Sequence, residues 1–88
     1  MKAVVTVVGA DKVGIVAGVA ESLAELKANI LEISQTLMSG NFTMMMVVET
    51  DENIDFASFK ESLVAKGEVL GVTVHVQNQA IFDAMHKL

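Results

Sequence analysis

The segment Gly9-Ala10-Asp11-Lys12-Val13-Gly14 brings together residue types that can hold a small charged molecule. Glycine permits positive φ and lets another molecule come close to the backbone. Ile15-Val16 opens a helical pattern, and a helix N-terminus offers unpaired N–H groups and partial positive charge to a carboxylate. Asp11 adds a carboxylate that accepts hydrogen bonds from an amine. An α-amino acid carries both complementary groups. The same residues also fit a structural role. Asp11 then stabilises a turn or caps the helix, Lys12 is solvated, and Gly14 makes room for helix–sheet packing. The glycine spacing matches neither a phosphate-binding P-loop nor a dinucleotide fingerprint.

The rest of the chain holds little that points to catalysis. Ser34, Gln35 and Thr36 are consecutive, and on a strand only alternate residues share a face. No nucleophile with a base and an orienting group is discernible, so the expectation is a protein that is not an enzyme and carries no cofactor. His75 and His86 have no fixed short spacing, which fits solvated histidines rather than a metal site. Met44, Met45 and Met46 read as core and interface filler.

Composition narrows the classes further. The 88 residues suit a single domain over 1–88, and 52% of them are hydrophobic. There is no Cys, hence no disulfide or thiolate site. The net charge is −5, no Arg is present, and the aromatic residues are four Phe. A nucleic-acid binder wants a cationic footprint with Arg or aromatic stacking. An acylphosphatase-like site wants an Arg in the first loop. No apolar stretch approaches the ~20 residues of a membrane span. The start, Met1-Lys2-Ala3-Val4-Val5, is interrupted by Asp11, Lys12 and the glycines too early for a signal peptide. A cytoplasmic protein is the expectation.

These residues need elements to position them. Residues 2–8 are rich in Val and read as a central strand. Residues 15–28 carry Ile15, Val19, Leu23 and Leu26 at helical spacing. Residues 30–38 and 42–50 form two strands joined through Ser39-Gly40-Asn41. A second helix over 55–66 buries Phe56, Phe59 and Leu63, with Asp55 or Asn53 at its start and Gly67 at its end. Residues 69–78 alternate, Val72, Val74 and Val76 against Thr73, His75 and Gln77. Ile81, Phe82, Met85 and Leu88 predict a short helical tail. The order βαββαβ gives an α+β ferredoxin-like sandwich: a four-stranded antiparallel sheet, both helices on one face, strands one and three in the centre.

Such a sheet should be polar on its second face. Here Met45 and Val47 add apolar atoms to the side opposite Phe42, Met44, Met46 and Val48. Strand two likewise sets Leu31, Ile33 and Leu37 on one parity and Ile30 and Met38 on the other. The tail offers one cover for this excess. A second copy offers another, and exposed patches with unpaired edges favour a symmetric homodimer.

Three stretches together resemble the ACT domain: Val7 to Ala17 (VVGADKVGIVA), Leu26 to Gln35 (LKANILEISQ) and Phe42 to Met46 (FTMMM). More narrowly, the chain resembles the small stand-alone single-ACT-domain proteins of uncharacterised function, and it is similar to the ACT repeats of the glycine-cleavage-system repressor. The resemblance implies a regulatory module that binds an amino acid or similar metabolite between two copies. It implies ligand contacts from Asp11, Lys12, Val13, Gly14 and Ile15, and from Asn29, Ile30 and Gln35 of the neighbouring copy. Members that bind amino acids often carry Asn where Asp11 stands, and often Pro where Val13 stands. The alternative is a protein-interaction or oligomerisation module with no small ligand.

Overall fold

The computed structural model describes residues 1–10 and 14–80. Its elements are β1 (Lys2–Ala10), α1 (Ile15–Glu25), β2 (Asn29–Met38), β3 (Asn41–Glu49), α2 (Phe56–Leu70) and β4 (Thr73–Asn78). The sheet order is β2-β3-β1-β4, with every neighbouring pair antiparallel. This is the ferredoxin-like arrangement expected from the sequence. The tail falls at 81–88, outside the described residues.

Register fixes which residues share a face, because directly opposed residues point the same way. Val5 lies between Met46 and Val76, and Val7 between Met44 and Val74. All six are buried. They meet Ile15, Val19 and Leu23 of α1 and Phe59 and Leu63 of α2 in one hydrophobic cluster. Each helix presents positions i, i+4 and i+8 to the sheet, which is the stripe a 3.6-residue period requires. The opposite face carries Val4 with Val47 and Gln77, Thr6 with Met45 and His75, and Val8 with Thr43 and Thr73.

Strand β2 departs from the parity read in the sequence. Ile30 opposes Val48 but Glu32 opposes Val47, so Leu31 is an extra residue in the ladder. That irregularity resets the alternation. Ile30, Ile33, Gln35 and Leu37 therefore lie opposite Val48, Met46, Met44 and Phe42, on the helix side. Ile33 and Leu37 nevertheless stay 47% and 61% exposed. The helices cover β4, β1 and β3 and stop short of β2.

The helix ends also differ from expectation. Asp55 does cap α2: its Oδ1 accepts from the Ala57 amide at 3.1 Å and its Oδ2 from the Ser58 hydroxyl at 2.9 Å. The helix then runs through Gly67 to Leu70. It stops at Gly71, where φ is 77°. Gly71 N donates to Glu68 O at 3.2 Å and Val72 N to Gly67 O at 2.8 Å, the paired bonds of a Schellman ending. Gly67 has another task. A Cβ there would lie 2.5 Å from Val74 Cγ2 and 3.0 Å from the Val72 carbonyl oxygen. Inside a helix, alanine normally gains about 1 kcal/mol over glycine. At this contact overpacking opposes it by about 1–3 kcal/mol. Gly67→Ala is expected to lower stability by about 1–2 kcal/mol, read as a lower midpoint in urea unfolding. An unchanged or higher midpoint would show that the helix–strand contact yields freely.

Candidate functional site at the start of α1 and along β2

The chain leaves β1 at Ala10, beside Asn41 and the β2–β3 hairpin. Ser39 and Gly40 form that hairpin's two-residue turn, with φ of 52° and 78°, the positive values that suit the strand twist. Asp11, Lys12 and Val13 lie outside the described residues. The path resumes at Gly14, with φ 92° and ψ −1°. Few residues other than glycine adopt that conformation.

Gly14 forms the N-terminal boundary of α1 and offers no side-chain cap. The first helical bond runs from Gly18 N to Gly14 O at 2.8 Å. The amides of Ile15, Val16 and Ala17 therefore have no acceptor within the helix. The first turn contains no acidic residue to offset the positive end of the helix dipole. Among the described residues nothing lies within 4 Å of where a Cβ on Gly14 would project. Among the described residues, the start of α1 thus combines donors without a helical acceptor, partial positive charge and open space. Gly9 is of a different kind: it lies in β1, and a Cβ there would meet Val72 Cγ1 at 2.8 Å. It is a packing glycine rather than a loop glycine.

The other candidate positions separate. Ile15 is 2% exposed and belongs to the core, so only its backbone is available to a ligand. Asn29 and Ile30 oppose Glu49 and Val48. Those β3 residues pair with Lys2 and Ala3, at the end of the sheet away from Ala10. Eight residues of strand, about 27 Å, separate the two ends. Gln35 is exposed and opposes Met44, nearer the α1 end but two strands, about 10 Å, from β1. Within one copy the candidates do not converge.

A hollow that sequence reasoning missed lies at the α1 end of the sheet. Thr36, Ser39, Asn41 and Thr43 line a cavity of about 360 Å³, with Thr36 directly opposite Thr43. The two threonines are seven positions apart in the sequence, and only the hairpin register reveals that they are neighbours. His75 is exposed on the open face of β4. His86 lies outside the described residues. Among the described residues no helix is long and apolar enough to cross a membrane.

Comparison with known proteins adds the following. A family model described as the ACT domain matches residues 2–77. A UPF0237 protein of Lactococcus lactis is 74% identical over 88 residues, covering all of both chains. The solved structure of an ACT domain protein from Streptococcus pneumoniae superposes with a TM-score of 0.86 at 51% identity, over 94% of each chain. A formyltetrahydrofolate deformylase from Pseudomonas putida superposes with a TM-score of 0.79 at 19% identity, over 89% of this chain and 29% of that one. That last likeness is one of fold alone.

The placement of Ile15 and Gln35 makes a direct contrast. Ile15→Ala is expected to cost about 2–4 kcal/mol of stability, as for other buried Ile truncations. Gln35→Ala is expected to stay within about 0.5 kcal/mol. Urea titration of both variants checks this; equal effects would mean that β2 is covered on its helix side.

Proposed function

The chain belongs to the ACT domain family, and we propose that it is a non-catalytic regulatory module that binds an amino acid or related metabolite at the interface of a homodimer. ACT domains are regulatory ligand-binding modules that often dimerise. The split placement of the candidate residues supports the dimer. Strand β2 is a ten-residue edge strand with Leu31, Ile33 and Leu37 exposed. A two-fold axis at Ile33 would pair two β2 strands antiparallel, extending the sheet across both copies. The Asn29 end of one β2 would then lie beside the Leu37 end of the other. That brings the far-end candidates of one chain to the α1 end of its partner's sheet, three strand spacings, about 14 Å, from β1.

The chemistry of this composite site suits a zwitterion. The helix start takes the carboxylate, Asp11 takes the amine, and Asn29 with Gln35 supplies neutral polar contacts. A ligand of about ten heavy atoms at roughly 0.5–0.8 kcal/mol per atom binds in the micromolar to millimolar range. The setting that fits such a sensor is the cytoplasm.

Thermal-shift screening of the twenty amino acids at ~10 mM tests the ligand. At a hundredfold its Kd a ligand adds about 2.7 kcal/mol, several degrees for a domain of this size. At least one amino acid is expected to raise Tm, and Asp11→Ala to remove the shift. No shift with any of the twenty would leave a protein-interaction module as the better account. Analytical ultracentrifugation tests the dimer separately. The native chain is expected to sediment as a dimer, and Ile33→Lys, which sets like charges beside the axis, as a monomer. A native monomer, or a variant that remains dimeric, would remove β2 as the interface.

A further inference from the structure

We propose that the outer edge of β4 is a docking groove for an extended, carboxylate-bearing peptide segment of a partner protein. This groove depends neither on a metabolite ligand nor on the β2 interface. The two edges of the sheet stand three strand spacings apart, about 14 Å, so both can be occupied at once.

β4 ends the strand order, and among the described residues it pairs only with β1. The backbone N–H and C=O groups on its outer side are a template for one more strand. Such edges are commonly blunted by Lys, Pro or a bulge. β2 carries an irregularity at Leu31. β4 reads Thr-Val-His-Val-Gln-Asn and keeps unbroken register with β1 from Thr73 to Asn78. Its six residues give about 20 Å of regular edge.

A groove of about 580 Å³ runs along this edge, with Lys60 and Val64 of α2 beside the β4 residues from Thr73 to Gln77. Lys60 and Val64 are one turn apart and share a side of the helix. Ser62, Lys66 and Val69 line a different hollow, against Ser22 and Glu25 of α1. The Lys60 flank is thus the one turned away from α1, towards the outer edge of the sheet. A Cβ on Gly67 would touch Val74, which fixes where helix and strand meet. From Gly67 back to Lys60 the helix runs about 10 Å. From Val74 on to Gln77 the strand runs about 10 Å. Lys60 therefore belongs to the Gln77 end of the groove, with Val64 nearer its middle.

These features define the occupant. The backbone edge takes an extended chain, Val64 takes an apolar side chain, and Lys60 takes a carboxylate at the Gln77 end. Lys60 is exposed, and no described residue forms an ion pair with it. The β4 strand of a second copy is not that occupant, because its six residues include no Asp or Glu.

Selection of a random dodecapeptide phage library on the immobilised full chain tests the proposal. Enriched sequences are expected to alternate β-branched with polar residues and to carry Asp or Glu. A synthetic peptide of the enriched sequence, titrated into isotope-labelled protein, is expected to shift the amides of Thr73 to Gln77. The amides of Ile33 and Gln35 are expected to stay in place. Lys60→Glu is expected to weaken binding about fivefold. Lys66→Glu, the same charge change on the α1 flank, is expected to leave it unchanged. No enrichment, enriched peptides without a carboxylate, shifts on β2 instead of β4, or equal effects of the two variants would overturn the proposal. So would assemblies of the native chain larger than a dimer that Lys60→Glu dissolves, since β4 would then hold the Glu32-bearing β2 of a second copy.

Discussion

The last turn of α2 approaches the sheet and α1 so closely that glycine stands at three positions facing the contact. A Cβ on Gly67 would press on Val74 and on the Val72 carbonyl, and one on Gly9 would meet Val72 side chain and backbone. Gly18 faces Leu70, whose side-chain end can turn aside. The Schellman ending at Gly71 then returns Val72 onto β1. Because α2 leads directly into β4, this contact fixes both the height of the helix above the sheet and the start of the last strand. Interiors packed at crystal density transmit such a constraint to their neighbours. With α2 drawn down over β4 and β1, α1 takes the remaining width over β1 and β3, and no helix is left for β2.

That shortfall gives β2 its character. Its helix-side residues Ile33 and Leu37 remain exposed although the β3 residues opposite them, Met46 and Phe42, are buried. The extra residue at Leu31 makes this possible, since without it Ile30 and Ile33 would face opposite ways. The functional residues then divide along the same line. Gly14 and Ile15 are held at one end of the sheet by the rigid packing of Ile15 in the core, and Asn29 and Ile30 begin β2 at the other end. The core therefore orients the helix start, whose first amides have no acceptor within the helix.

Much of this was legible in the sequence, for reasons specific to each element. The alternation of Val72, Val74 and Val76 with Thr73 and His75 has a period of two, and burial follows it. Phe59 and Leu63 are four apart and both bury. The Ser39-Gly40 turn was marked by residue type. What could not be read was set by tertiary contact. Gly67 and Gly71 look alike as helix stops, and only the proximity of Val74 shows that the first is a spacer. Gly9 resembles a loop glycine until Val72 is seen above it. A bulge carries no signal in a strand whose two faces are both apolar, so the parity of β2 was open. The candidate site was legible as a set of residue types and illegible as a place, because its members lie at opposite ends of one sheet.

The apolar excess noted in the composition divides into two surfaces with different requirements. The open face around Met45 and Val47 lies on central strands whose backbone groups are already paired on both sides. It needs apolar contact and nothing else. The outer edge of β2 is different. Its N–H and C=O groups that point away from β3 need hydrogen-bond partners if they are removed from water. A helix has satisfied its own backbone and cannot offer that ladder, whereas another extended strand can. The two surfaces therefore ask for different covers: apolar contact suffices for the face, and a second β2 suits the edge.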